Sequence, residues 1–171
     1  RSRRSPVLAT GGMVASSQPL ASEIGVRVLQ QGGNAVDAAI AVAAALAVVE
    51  PCSTGLGGDC FLLFYDQKTG KVHSLDGSGR TPAAVTLADA QAVAGPGARE
   101  LPLLHGMTIT VPGAGAGWVD AINLWGSGKL SLGAILAPAT ILAREGFAVG
   151  PVTADLWAGG VPALRQSENA A

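Results

Sequence analysis

One apolar stretch constrains the fold of this chain more than any other. Residues 38–49 contain no polar side chain, and Asn34 and Asp37 stand just before them. A helix that is apolar on every side has no face for solvent, so we expect this helix to be buried all round. Asn34 is a favourable N-cap, and the carboxylate of Asp37 suits the positive end of the helix dipole. Pro51 then stops the helix.

A glycine-rich turn and a short strand follow the helix. We expect Gly55, Gly57 and Gly58 to adopt backbone angles that other residues avoid. Residues 60–65 form an apolar and aromatic run, which predicts a strand covered on both faces. The turn is not a phosphate loop, because such loops follow a strand and open a helix. A buried helix that leads into a strand indicates a layered α/β fold.

Helix and strand signals continue along the rest of the chain. The first helix is predicted to begin at Pro19 and to end at Gly32 and Gly33, which makes a tight hairpin with the buried helix. A turn at 66–70 predicts an antiparallel strand pair. The other predicted elements are strands at 6–10, 13–15, 71–76 and 107–111, and helices at 83–94, 116–125, 132–145 with a kink at Pro138, and 152–157.

Composition limits the classes of function. The chain has 171 residues, enough for one domain, but only 13% of them are charged, against about 25% in a typical soluble domain. Much of its surface is therefore expected to lie against another chain or segment. A net charge of −1 gives no indication of nucleic-acid binding, and Arg1, Arg3 and Arg4 favour a solvated terminus. The apolar run is too short to span a membrane, and the lack of a signal-peptide pattern favours the cytoplasm.

Cysteine and histidine spacing predicts neither a metal site nor a cofactor. Cys52 and Cys60 flank the glycine-rich turn, where a disulfide is one alternative, although buried free thiols fit two isolated cysteines better. His73 and His105 have no partners at ligand spacing. Neither histidine belongs to a recognisable Ser/His/Asp arrangement, so spacing predicts no activated nucleophile.

One arginine stands out in the second glycine-rich loop, at residues 77–82. Arg80 is suited to hold a carboxylate through a bidentate pair. An ion pair with Asp76 or Asp59 is an equal alternative. Three hydroxyl side chains could bind such a ligand or simply shape the turns: Ser53, Thr54 and Ser78.

Six blocks together resemble the γ-glutamyltranspeptidase family. They stand in the order found in that family and cover most of the chain: GMVASSQPLAS (12–22), GGNAVDAAIA (32–41), VEPCSTGLGGDCF (49–61), LDGSGRTP (75–82), TVPGAGAGW (110–118) and LAPATILAREGFAV (136–149). The resemblance implies an α/β fold that is part of the four-layer αββα sandwich of N-terminal-nucleophile hydrolases. It also implies that residues 1–171 are the N-terminal portion of a single such domain, within the large subunit.

The resemblance further implies an amide hydrolase or acyltransferase made as a proenzyme. Such a proenzyme cleaves itself into two subunits, and the threonine freed at the start of the small subunit is the nucleophile, with its own amine as base. That junction is not found in this sequence. We therefore expect no catalytic residue in this chain, a small subunit as its partner and a small-molecule amide as substrate. The alternative is a non-catalytic family fragment that acts as a structural or binding partner.

Two departures from the family pattern bear on the substrate. The family places its carboxylate-binding arginine four residues before a proline, where this chain has Ser78, and Arg80 stands two residues before Pro82. Gln18 replaces the histidine of the usual HPLAS motif. The forms SSQPLA, GGDCF and GSGR resemble the amidohydrolase branch, some members of which act on small amides such as oxamate. Arg80 and Ser78 are the implied substrate-binding residues, for a γ-glutamyl compound such as glutathione or for a small amide acid.

Overall fold

A computed structural model of the protein describes residues 5–102 and 105–165, so the Arg1, Arg3 and Arg4 cluster lies outside the described residues. No helix in these two ranges combines the length and the hydropathy needed to cross a bilayer. The elements follow in this order: α1 (Pro19–Gln30), α2 (Ala35–Val49), β1 (Cys60–Asp66), β2 (Lys71–Gly77), α3 (Leu87–Ala94), a 3-10 turn (Gly106–Thr108), α4 (Ala114–Trp125), α5 (Leu132–Glu145) and α6 (Pro151–Leu164).

The first two helices form the predicted hairpin. Gly32 has a φ of +91°, in the region that favours glycine, and the N–H of Gly33 donates to the carbonyl oxygen of Val28 at 3.0 Å. These features end α1 and allow α2 to begin at Ala35. Ile24 and Val28 are buried on the side of α1 that packs against α2.

Helix α2 is the centre of the core, as the apolar run predicts. The side-chain oxygen of Asn34 accepts hydrogen bonds from the N–H groups of Val36 and Asp37, both at 3.0 Å. The carboxylate of Asp37 accepts in turn from the N–H of Asn34 at 3.0 Å, which completes a capping box. Only Ala35 and Ala39 of this helix are exposed, so burial is less complete on that side than the sequence predicts.

Two later helices complete the core against α2. Trp118 and Ala121 of α4 and Ile135 of α5 are buried in the same cluster. Helix α5 is capped as predicted, since the Ser131 hydroxyl accepts from the N–H of Ala134 at 3.2 Å. Pro138 lies inside α5, and the kink expected there stays a prediction.

Strands β1 and β2 pair antiparallel through the predicted turn. The register runs from Cys60 opposite Gly77 to Asp66 opposite Lys71. One carboxylate oxygen of Asp66 accepts from the N–H of Lys68 at 3.0 Å, and the other accepts from the Thr69 hydroxyl at 2.9 Å. These local bonds fix the turn and therefore the register.

The expectation that β1 is covered on both faces is wrong within the described residues. Leu62 and Phe64 pack against the helical core. The alternate residues Phe61, Leu63 and Tyr65 are 71%, 81% and 61% exposed. Successive strand residues point to opposite faces, so helices cover one face of the hairpin and leave the other open.

Several other boundaries differ from prediction. Residues 6–10 and 13–15 are not strands, because a strand needs a pairing partner and the hairpin is the only sheet in the described ranges. The strand expected at 107–111 is replaced by the 3-10 turn and a single bridge at Val111. The helix expected at 83–94 begins only at Leu87, after the cap at Thr86. Helix α6 extends well beyond the predicted range of 152–157.

Candidate functional site

Three segments meet where the hairpin ends and α4 begins. Cys60 at the start of β1 pairs with Gly77 at the end of β2. Helix α4 has no side chain at its N-cap, and the N–H groups of Gly113 and Ala114 both donate to the carbonyl oxygen of Gly58, at 3.1 and 3.0 Å. This contact joins residues 58–59, 77–80 and 110–113, which we call the loop cluster. The cluster contains the loop in which the sequence places its candidate binding residues.

The close approach of these segments depends on glycine. A Cβ on Gly113 would overlap the carbonyl oxygen of Gly77, and a Cβ on Gly79 would overlap the side chain of Thr110. A Cβ on Gly77 would lie 2.6 Å from the sulfur of Cys60. Each of the three Cβ atoms would also lie within 2.8 Å of a backbone carbonyl oxygen, which is shorter than real Cβ contacts, so glycine is needed where two backbones approach.

The expected role of the earlier glycines is wrong. Gly55, Gly57 and Gly58 do not have positive φ, and a Cβ on Gly55 or Gly57 would meet no atom within 4 Å. In the loop cluster, the glycines whose Cβ space is filled are instead Gly77, Gly79 and Gly113. Sequence alone offered no signal for this, because Gly113 and Gly77 are distant in the chain.

The backbone of Arg80 is fixed by a hydrogen bond, and its side chain is exposed. Its carbonyl oxygen accepts from the N–H of Val111 at 2.9 Å, in an isolated antiparallel bridge. The side chain is exposed and makes no ion pair with any residue in the described ranges. Asp59 and Asp76, the alternative partners, bond to backbone N–H groups instead: Asp59 to Gly79, and Asp76 to Ser78 at 2.9 Å.

The three candidate hydroxyl groups are not brought together. Ser78 is exposed and lies two residues before Arg80 in the loop cluster. Ser53 and Thr54 lie in the turn after α2, where their N–H groups donate to the carbonyl oxygen of Glu50 at 2.9 and 3.3 Å. In the described ranges neither of them hydrogen bonds to the loop cluster, so only Ser78 shares a loop with Arg80.

Both cysteines are free thiols, and they differ in environment. Burial, followed by the charge of Asp59, raises the pKa of the Cys60 thiol, whose sulfur lies 3.7 Å from the carbonyl oxygen of Ala114. Cys52 is exposed, which contradicts its expected burial. The Ser53 hydroxyl, 3.6 Å from the sulfur, lowers the pKa of the Cys52 thiol.

His73 packs against aromatic rings, and His105 accepts a local hydrogen bond. The ring of His73 lies 5.3 Å from that of Trp125 and 6.1 Å from that of Phe64. The ring nitrogen Nδ1 of His105 accepts from the N–H of Met107 at 3.1 Å. Neither histidine belongs to the loop cluster, whose polar side chains are those of Asp59, Ser78, Arg80 and Thr110.

Known proteins share this architecture and sequence. The family model described as gamma-glutamyltranspeptidase matches residues 21–171. The chain is 40% identical over 147 residues to a glutathione hydrolase proenzyme of Bacillus subtilis. The aligned region covers 84% of this chain and 24% of that protein. It is 46% identical over 151 residues to the glutathione hydrolase-like YwrD proenzyme of the same species. That aligned region covers 87% of this chain and 27% of that protein.

A solved structure gives the same result. Cephalosporin acylase from Bacillus halodurans superposes with a TM-score of 0.88 at 42% identity, over 99% of this chain and 31% of that one. The chain thus spans about a quarter of the length of the curated relatives it matches. Its mixed helices and sheet are part of the αββα sandwich of the N-terminal-nucleophile hydrolases. By the extent of these matches, this chain belongs to the γ-glutamyltranspeptidase family.

Proposed function

We propose that this chain is the N-terminal portion of the large subunit of an amide hydrolase or acyltransferase. The proenzyme cleaves itself, and the nucleophile is the threonine freed on a small subunit that partners this chain. The names of the matched relatives support the proposal, because two are glutathione hydrolase or hydrolase-like proenzymes and one is a cephalosporin acylase. These names describe hydrolase or acylase activity, which is the class of reaction proposed here.

The role of this chain is to bind the carboxylate of a small-molecule amide substrate through Arg80, with the hydroxyl of Ser78 as a second donor. The observation that carries this assignment is the exposed guanidinium on a loop whose backbone is fixed, unpaired with any carboxylate in the described ranges. Arginine binds a carboxylate through two parallel hydrogen bonds, which gives both affinity and orientation.

The position of Arg80 favours a short acid over a γ-glutamyl group. The resemblance places the carboxylate-binding arginine where Ser78 stands, and two residues along an extended chain is a shift of about 7 Å on the same face. Arg80 would therefore meet a carboxylate at a different distance from the scissile amide. Oxamate is a small amide acid of this type, and glutathione is the longer alternative.

The test uses the full-length, self-cleaved protein and two matched substrate pairs. One pair is γ-glutamyl p-nitroanilide and γ-aminobutyryl p-nitroanilide, and the other is oxamate and oxamide. The second member of each pair lacks the carboxylate. We expect Arg80→Lys to lose about 1–3 kcal/mol of binding to the acid, because the charge remains but the bidentate fork is lost. Arg80→Ala loses more, and Ser78→Ala loses less.

The control is Arg144→Ala, another exposed arginine, on α5. It leaves the kinetics unchanged. All four variants self-cleave on a gel, since cleavage needs the threonine and not the substrate. An unchanged kcat/KM of Arg80→Ala toward both acids contradicts the binding role. A wild-type protein that neither cleaves itself nor turns over any of the four amides is instead a non-catalytic structural or binding partner.

A further inference from the structure

We infer that Asp59 is a positioning residue that fixes Arg80 for the substrate carboxylate. This inference rests on the proposed binding role of Arg80. Asp59 lies immediately before β1, and its carboxylate oxygen Oδ1 accepts a hydrogen bond from the N–H of Gly79. Gly79 directly precedes Arg80, so this bond holds the peptide from which the arginine side chain departs.

The bond crosses between separate parts of the fold. Asp59, just before β1, is 20 residues away in the chain from Gly79, which lies beyond the end of β2. A hydrogen bond to an ionised carboxylate is shorter and stronger than one between neutral groups. Asp59 thus ties the loop to the start of β1, which is itself anchored by the α4 contact at Gly58.

Other bonds hold the loop on either side of Gly79. The carboxylate of Asp76 accepts from the N–H of Ser78 at 2.9 Å, and the carbonyl oxygen of Arg80 accepts from the N–H of Val111 at 2.9 Å. Thr110 fills the space beside Gly79, so the loop has no room to move toward it. Three consecutive residues are therefore fixed at the backbone, and the arginine side chain is left to bind.

No ion pair occupies the Arg80 guanidinium in the described ranges. Asp59 is a carboxylate on a segment that contacts the arginine loop, and an ion pair between the two would have to break before substrate could bind. In the structure its Oδ1 atom is engaged with Gly79, and Arg80 has no carboxylate partner in the described ranges. Removing Asp59 therefore removes a bond that holds the backbone next to Arg80. It does not release the arginine side chain from an ion pair.

The test is kinetic, in the full-length, self-cleaved enzyme with the two substrate pairs above. We expect Asp59→Ala to raise KM for the acids roughly 3- to 10-fold, with little change in kcat, because one charge-assisted hydrogen bond is lost. Asp59→Asn keeps an oxygen acceptor for Gly79 and stays within about 2-fold of wild type. Asp120→Ala, an exposed aspartate on α4 outside the loop cluster, is the control and leaves KM unchanged. Turnover of the amides without a carboxylate is unchanged in all three.

A double-variant cycle with Arg80→Ala separates the two proposals. If Asp59 acts through Arg80, Asp59→Ala has no further effect on KM when Arg80 is already alanine. An equal effect in that background, or a normal KM in Asp59→Ala, overturns the inference and leaves the role of Arg80 standing. A normal KM in Arg80→Ala instead overturns the proposed role itself. Should Asp59→Ala fail to self-cleave, Asp59→Glu carries the test, because it keeps the charge and displaces the acceptor. A wild-type KM for that variant also overturns the inference.

Discussion

Gly113 lies where the N-terminus of α4 meets the end of β2. A Cβ there would overlap the carbonyl oxygen of Gly77 and lie 3.2 Å from the nitrogen of Gly79. All of these neighbours are backbone atoms, and the N–H of Gly113 is itself bonded to Gly58. A side chain at this position can be accommodated only if α4 and the hairpin move apart.

We expect Gly113→Ala to lower the free energy of unfolding of the full-length protein by about 1–3 kcal/mol, through overpacking. Gly57→Ala is the matched control, because a Cβ there would meet no atom within 4 Å and its φ is not positive. It should change stability by less than about 0.5 kcal/mol. Denaturant unfolding of the two variants and wild type gives the measurement. Equal stability of the two variants would contradict the packing account.

The candidate site could be predicted from sequence only in part. Arg80 can be nominated from sequence because an arginine in a glycine loop suits a carboxylate ligand, and its binding role stays a prediction. Asp59 was named only as an ion-pair partner, since nothing in the sequence indicates that its carboxylate bonds to Gly79. The packed glycines were missed for the same reason: positive φ can be guessed locally, whereas contact between Gly77 and Gly113 is a property of the fold.

At the scale of the elements, two helices begin with the same motif in different surroundings. Helix α2 starts with a capping box of Asn34 and Asp37, and α3 starts with one of Thr86 and Asp89. Asp37 is 1% exposed, and its carboxylate also accepts from the N–H of Ser127 at 3.1 Å, beyond the end of α4. The buried capping box therefore joins the start of α2 to the end of α4. The exposed capping box stabilises only the start of α3.

We expect Asp37→Ala to cost about 2–4 kcal/mol of stability, because two backbone N–H groups lose their acceptor in a buried place. Asp89→Ala removes the equivalent carboxylate from the solvent-exposed box and should cost clearly less, since water replaces it. Thermal unfolding of both variants in the full-length protein measures the difference. A loss at Asp89 as large as that at Asp37 would show that burial of the box is irrelevant.

Helices were predicted better than strands for a physical reason. The caps at Asn34 and Ser131 and the glycines that end α1 and α5 act locally, so they are visible in sequence. Residues 6–10 and 107–111 have strand-like composition, but pairing depends on a neighbour that composition does not specify. The β1–β2 hairpin was found because its turn is encoded between the two strands.

At the scale of the whole molecule, we propose that this chain supplies a binding loop and that a partner subunit supplies the nucleophile. We expect residues 1–171, purified alone, to hydrolyse neither γ-glutamyl p-nitroanilide nor oxamate, because no threonine with a free terminal amine is present to act on them. The full-length, self-cleaved protein is the positive control in the same assay. Turnover by the fragment that a point substitution within it abolishes would contradict the proposed division of labour between the subunits.

The open face of the hairpin has a consequence during synthesis. A ribosome adds about 5–20 residues per second, so in a protein as long as the relatives β1 emerges roughly tens of seconds before the last segments do. For that time we expect the apolar side chains of Phe61, Leu63 and Tyr65 to stay exposed on the open face of the hairpin. Asp59 and Asp66 bracket this strand with negative charge, as gatekeepers against intermolecular β-pairing do.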